Sequence, residues 1–282
     1  VKRLAPALLA ACALGAVPLA ARDAAGARGA LAPGDTYVAL GSSYAAGPGV
    51  GEPAGGPARC NRGNLSYPRL LAQRLSLTLV DASCSGSTTE HVLGPWNELP
   101  AQIEAVTPAT RLVTITSGGN DVGFVRNLFA AACATMPSGG RPAQCPTALR
   151  PTAADWTALE TRMHAIAAEV RRRAPAARLV FIDYPTILPA RGACPALSGS
   201  AADLAASRAE AVKLAAITAR VARAERALLL KASQLSARHG PCDPEPWSFG
   251  SSAPAGSAPV HPGVKAHAAI AEALAALLRR KG

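Results

Sequence analysis

Val38-Ala39-Leu40-Gly41-Ser42-Ser43-Tyr44-Ala45-Ala46-Gly47 is the stretch on which the reading of this chain turns. An apolar, strand-like run starting at Thr36 breaks at Gly41, presents two serines and enters a turn rich in glycine and alanine. A serine at the end of a strand, held by a tight turn, exposes its hydroxyl above the edge of a parallel sheet. Taken alone, the stretch better fits a strand-to-loop turn whose hydroxyls satisfy backbone groups. The residues downstream separate the two readings.

Leu77 to Val80 reads as a second strand, and it opens into Asp81-Ala82-Ser83-Cys84-Ser85-Gly86-Ser87-Thr88-Thr89. Arg111 to Thr116, β-branched and apolar, reads as a third strand opening into Ser117-Gly118-Gly119-Asn120-Asp121. Leu179 to Ile182 is a fourth, closed by Asp183-Tyr184-Pro185. Leu228-Leu229-Leu230 fits a short fifth strand or the continuation of a helix, since periodicity does not separate them. Between these runs, helices are expected over Ser66–Leu75, Val122–Ala134, Asp155–Arg173, Ala202–Ala224 and Gly263–Arg279, with a short helical pattern around Leu99 to Val106. In the third of these, Trp156, Leu159, Met163, Ile166 and Val170 recur at helical spacing and read as core packing. Alternation of strand and helix, with three strands ending in Gly/Ser/Asn-rich loops, describes an open α/β sheet carrying a site along its carboxyl edge. No repeats and no linker divide the chain, so one domain is expected over residues 35–282.

The 282 residues carry a net charge of +11, which raises nucleic acid as a partner. The basic residues are scattered, however, and four phenylalanines and four tyrosines give few rings to stack on bases. The cluster Arg171-Arg172-Arg173 falls at a helix C-terminus, where cations favour the dipole. No nucleic-acid partner is expected. At the N-terminus, Lys2 and Arg3 precede an apolar run from Leu4 to Ala21, the pattern of an export signal over residues 1–27, followed by a disordered segment over 28–34. Leu9-Ala10-Ala11-Cys12 also resembles a lipoprotein box that would leave the chain anchored through Cys12. Cys12 lies early and the apolar run continues past it, which favours ordinary secretion. No later segment has the apolar length of a membrane span.

Seven cysteines are present, and with Cys12 set aside six remain, an even count that argues for disulfides in an exported chain. None forms a C-x-x-C pair, so no metal is expected. Six cysteines allow fifteen pairings. Nearest-neighbour pairing, Cys60–Cys84, Cys133–Cys145 and Cys194–Cys242, is favoured because each bridge staples one long loop, at about 2–4 kcal/mol apiece.

An acyl-transfer site needs a nucleophile, a base, a partner that orients the base, and donors for the oxyanion. Ser43 offers the nucleophile. His261 is the best base, lying in a Pro-rich loop just before the last helix, where it can project over the sheet edge. The N–H of Ser43, the N–H of Gly86 and the side-chain amide of Asn120 are the candidate oxyanion donors. Singly, Gly86 also fits a turn glycine and Asn120 an Asx-turn.

Together these positions resemble the SGNH hydrolase superfamily, the GDSL-type esterases and lipases. Gly41-Ser42-Ser43-Tyr44-Ala45-Ala46-Gly47 is similar to its G-D-S-x-x-x-G block, and Gly86 falls where its glycine block belongs. Gly118-Gly119-Asn120-Asp121 matches G-x-N-D, and His261-Pro262 matches the end of D-x-x-H-P. The α/β-hydrolase elbow G-x-S-x-G fits worse, because position 45 is alanine and the serine follows the first strand. The resemblance, which extends over about Thr36 to Ala276, implies a three-layer α/β/α, flavodoxin-like fold with a mainly parallel five-stranded sheet. It further implies a serine esterase or lipase without cofactor or metal, acting on a small-molecule or lipid ester as a monomer. Secreted actinobacterial members, which the chain resembles most, pair their disulfides in sequence order. Two positions depart from the family pattern. Ser42 replaces the aspartate beside the nucleophile, and Ala258 stands where the triad aspartate belongs. Some relatives orient the histidine with a main-chain carbonyl, so the Ala258 carbonyl is the expected acceptor of the His261 Nδ1–H, ahead of the Asp243 or Glu245 carboxylate. Two rival readings use the same fold: a polysaccharide O-deacetylase on the same residues, and a non-catalytic carbohydrate- or envelope-binding protein.

Overall fold

The structure is a computed structural model that describes residues 1, 29–136, 144–254 and 257–280. The expected export signal over residues 1–27, with Cys12, lies outside the described residues apart from its first position. Five strands form one sheet: β1 (Thr36–Gly41), β2 (Thr78–Asp81), β3 (Thr110–Thr116), β4 (Arg178–Ile182) and β5 (Leu228–Leu230). All pairings are parallel and the strand order is β2-β1-β3-β4-β5, the flavodoxin-like doubly wound order. Leu228 to Leu230 therefore closes one edge as a strand, pairing with Val180 to Ile182.

The alternation of side chains along the strands builds two cores. Val38 and Leu40 of β1, Val113 and Ile115 of β3, and Leu179 and Phe181 of β4 face one side. There they meet helices α4 (Phe124–Thr135), α5 (Ala153–Arg173) and α6 (Ala201–Ala224). Tyr37, Ala39, Leu112, Val180 and Ile182 face the other side, against α2 (Tyr67–Leu75) and α8 (Val264–Arg280). This period of two, buried on both faces, is what makes the strands near-continuous apolar runs. Each large side chain so buried contributes about 1.5–3 kcal/mol. The helical stripe read from the sequence is core: Trp156, Leu159, Met163, Ile166 and Val170 are all buried. At the end of α5, Arg172 and Arg173 pair with Glu169, and Arg171 pairs with Glu225.

Three short helices fall where the sequence assigns no helix: α1 (Ser43–Ala46), α3 (Thr89–Leu93) and α7 (Ala232–Leu235). Each is a single turn, too short for apolar periodicity to register. The pattern around residues 99–106 is a 3₁₀ turn, Gln102–Ala105. Residues 31–34, expected to be disordered, form part of the fold. Leu31 packs on the second core, the Ala32 N–H donates to Asp35, and the Gly34 N–H donates to the Ser76 carbonyl. The cysteines pair as Cys60–Cys84, Cys133–Cys145 and Cys194–Cys242. Among the described residues, no helix is long and apolar enough to cross a membrane.

Candidate active site

The carboxyl ends of β1, β2 and β3 converge on Gly41. Its φ is +131°, and a Cβ built on it would lie 2.2 Å from the Thr116 carbonyl oxygen, so only glycine fits. From there the chain turns into α1, whose first residue is Ser43, and closes at Gly47 in the left-handed region with its N–H on the Ser43 carbonyl. The Gly41 carbonyl accepts from the Cys84 N–H at 2.9 Å and from the Ser87 hydroxyl at 3.0 Å. These bonds fasten the loop containing Gly86 beside the turn that presents Ser43. Asn120, after β3, donates from Nδ2 to the Ser87 carbonyl at 2.9 Å, so the third loop is tied to the second. The amide has two N–H donors, and this bond uses one of them. Cys60–Cys84 braces the same loop from outside, with the Ser85 N–H on the Cys60 carbonyl.

His261 arrives from the opposite end of the chain. Its Nε2 lies 2.8 Å from Ser43 Oγ, and its Nδ1 lies 2.7 Å from the Pro259 carbonyl oxygen. A carbonyl only accepts, so Nδ1 carries the proton and Nε2 is left as acceptor for the Ser43 hydroxyl. The expected Ala258 carbonyl is thus replaced by its neighbour. Val260 adopts φ +51°, a left-handed turn that folds the chain back so that the group two residues before the ring faces it. Neither alternative carboxylate takes part: Asp243 accepts the Gly240 N–H at 2.7 Å, and Nδ1 is engaged by Pro259. The loop is held by the Tyr44 hydroxyl, which donates to the Val260 carbonyl at 2.7 Å, and by the Phe249 N–H on the His261 carbonyl. Both Ser43 and His261 are buried. Burial holds the His261 ring below its ordinary pKa, and the bond to Pro259 opposes that shift.

Three positioning side chains escaped the sequence reading. Gln102 brackets Gly41: its Oε1 accepts the Gly41 N–H at 2.7 Å, while Nε2 donates to the Gly41 carbonyl and to Ser87 Oγ. Nothing around a lone glutamine in a loop signals this. Tyr184, at the end of β4, shares a 3.3 Å hydrogen bond with Ser42 Oγ and accepts the Gly119 N–H at 2.8 Å. Its phenol is pushed up to about 12 by burial and stays protonated. Ser42, in place of the family aspartate, is therefore bonded into the loop framework. Tyr184 and Tyr44 lie at a carboxyl strand end and beside Ser43, and those places were the available signal. Asp121 is engaged by the Thr89 N–H, the Thr89 hydroxyl and Arg162. Among the described residues, no cluster of three or more His, Cys, Asp or Glu is placed to hold a metal ion.

His267, one turn into α8, is fully buried and accepts the Tyr67 N–H at Nδ1. Desolvation, aided by the charge of His261, lowers its pKa to about 3. Between the ordinary value of 6.5 and about 3, the unfolded chain binds a proton that the folded one refuses. Stability is then lost as pH falls through that window, by ~1.4 kcal/mol per pH unit for this group. His267→Gln, which keeps an acceptor for Tyr67, is expected to lose less stability than the wild type between pH 7.5 and 4.5, read from urea midpoints. Equal losses in the two proteins would refute the assignment.

Comparisons with known proteins find a matching family and related structures. The GDSL-like Lipase/Acylhydrolase family matches residues 39–269. Lipase 2 of Streptomyces coelicolor is 31% identical over 250 residues, covering 84% of this chain and 83% of that protein. The crystal structure of an extracellular lipase from Streptomyces rimosus superposes with a TM-score of 0.67 at 26% identity, covering 88% of this chain and 99% of that one. A phospholipase A1 from Streptomyces albidoflavus shares the fold, with a TM-score of 0.69 at 24% identity, and covers 88% and 100%. The fold and its carboxyl-edge site define a carboxylic ester hydrolase of the three-layer α/β/α type. The chain belongs to the GDSL-like lipase/acylhydrolase family.

Proposed function

We propose that the protein hydrolyses esters through an acyl-enzyme formed on Ser43 and acts outside the cell. The carrying observation is the continuous relay from Ser43 Oγ to His261 Nε2 and from Nδ1–H to the Pro259 carbonyl. His261 takes the hydroxyl proton as Oγ bonds to the ester carbonyl carbon, whose oxygen becomes negative. The N–H groups of Ser43 and Gly86 and the Asn120 amide receive that charge. Collapse expels the alcohol, which takes the proton from His261. Water, deprotonated by the same ring, then releases the acid and restores Ser43. Export is supported by the three disulfides and by the extracellular S. rimosus relative. Relatives named as lipases favour lipid esters over acetylated polysaccharide. A fluorophosphonate should attach to Ser43, located by mass spectrometry of the labelled peptide; active protein with Ser43 unlabelled would overturn the reading.

The pH profile follows from the buried ring. Only neutral His261 accepts the proton, so kcat/KM falls as pH drops through its pKa, which burial places below 6.5. The acid limb should therefore have its midpoint under pH 6.5, and a midpoint above 7 would contradict it. Asp243→Ala and Glu245→Ala should leave both the limb and kcat nearly unchanged, whereas loss of a true carboxylate orienter costs about 10⁴-fold.

A further inference from the structure

In a parallel sheet, each helix that leads into a strand ends at the sheet's amino edge, opposite the edge that carries Ser43 and His261. Here α2, α5 and α6 lead into β2, β4 and β5. α8 ends on the same edge, because Arg178, the first residue of β4, donates from Nη2 to the Leu278 carbonyl at 2.9 Å. Short contacts run from one end of the edge to the other. The Gly34 N–H on the Ser76 carbonyl joins the approach to β1 to the end of α2. Arg111 Nε at the start of β3 lies 4.0 Å from Asp35, and Arg171 of α5 reaches Glu225 at the end of α6.

Cations concentrate on this edge. Among the described residues, ten arginines stand there against three carboxylates, Asp35, Glu169 and Glu225. Arg111, Arg171, Arg172 and Arg173 pair with those carboxylates, and Arg178 is buried against Leu278. The other five, Arg74, Arg223, Arg226, Arg279 and Arg280, are exposed and have no ion-pair partner among the described residues. At the opposite edge, Asp81 ends β2, and Asp121 and Asp183 follow β3 and β4. Basic residues that are scattered along the sequence are thus gathered by the topology, and the molecule is polarised along its strands.

A helix C-terminus favours a cation, which accounts for each of these arginines singly. It leaves five positive charges without counter-charge in a strip as wide as five strands, about 20 Å. With a Debye length of about 8 Å at physiological salt, neighbouring charges in the strip repel one another until an external anion covers them. The helix ends and strand starts there expose no large apolar or aromatic side chain, so nothing inserts into hydrocarbon or stacks on bases. A bilayer held on this edge would also turn Ser43 away from the lipid. Arginine forks match phosphate oxygens two at a time, and five of them across one strip suit a chain of phosphates better than a single ion.

We propose that the amino edge binds a linear, flexible polyanion with closely spaced phosphates, tethering the protein with its Ser43 edge facing outward. The tether goes beyond the ester chemistry proposed above, and its test needs no turnover. Labelled long-chain inorganic polyphosphate is titrated with the wild type from 50 to 200 mM NaCl, where five neutralised phosphates give a log–log slope of about −3.5, or roughly 100-fold weaker binding across the range. Two variants of equal net charge are compared. The edge variant combines Arg74→Gln, Arg223→Gln, Arg226→Gln, Arg279→Gln and Arg280→Gln. The control combines Arg191→Gln, Lys213→Gln, Lys231→Gln, Arg238→Gln and Lys265→Gln, all outside the amino edge. Melting temperatures establish that both are folded, and Arg279→Gln/Arg280→Gln alone repeats the test with less change to the chain. At the lower salt the edge variant should bind at least about 30-fold more weakly than the wild type, with a flattened slope, the double variant about threefold or more, and the control within about threefold. No binding by the wild type at the lower salt, or equal losses in edge and control variants, overturns the proposal. So does tighter binding to phosphatidylglycerol vesicles or to a DNA duplex than to polyphosphate.

Discussion

Ser43→Ala is expected to lower kcat on a short-chain nitrophenyl ester by about 10⁴–10⁶-fold while the melting temperature stays near that of the wild type. The hydroxyl lies on the first residue of a one-turn helix that is held by main-chain bonds: Gly47 N–H to the Ser43 carbonyl, and Ser42 N–H to the Thr116 carbonyl. Removing one oxygen leaves those bonds intact, so the loss is chemical and not structural. His261→Ala should cost about as much alone, and the double variant hardly more than either single one. Two groups that act as one unit give grossly non-additive losses. Additive losses, or turnover that survives in Ser43→Ala, would place the nucleophile elsewhere.

Asn120→Ala carries the second large effect, about 10²–10³-fold in kcat if the amide donates to the oxyanion. The prediction has a competitor, because the same side chain ties its loop to the Ser87 carbonyl. A purely structural tie would lower the melting temperature and loosen the Gly86 loop with a modest kinetic loss. An oxyanion donor would lower kcat with KM held and weaken a transition-state analogue in parallel. The two readouts measured together discriminate between these roles.

Much of this was legible in the sequence because each feature had a strong local cause. The strands β1, β3 and β4 are apolar runs bounded by glycine or proline, and the long helices repeat apolar residues at helical spacing. Ser43, Asn120 and His261 could be singled out because each sits in a short block of unusual residues at a strand end or before a helix. What could not be read depends on contacts distant in sequence. Gln102 is tied to Gly41 across 61 positions, and Tyr184 to Ser42 across 142. The one-residue shift from Ala258 to Pro259 turns on the backbone angle of Val260, a β-branched residue with φ +51°, which residue preferences oppose. The single-turn helices were missed because four or five residues carry no periodic signal.

On the mechanism proposed above, the main-chain partner of His261 has a consequence for how such an enzyme can be inactivated in the course of evolution. An aspartate in that role can be erased by one nucleotide change, but a peptide oxygen is supplied by whatever amino acid occupies the position. Point substitution at 258 or 259 thus leaves an acceptor in place as long as the turn at Val260 keeps its shape. The vulnerable quantity is spacing: an insertion or deletion between Pro259 and His261 would present the wrong oxygen to the ring, or none.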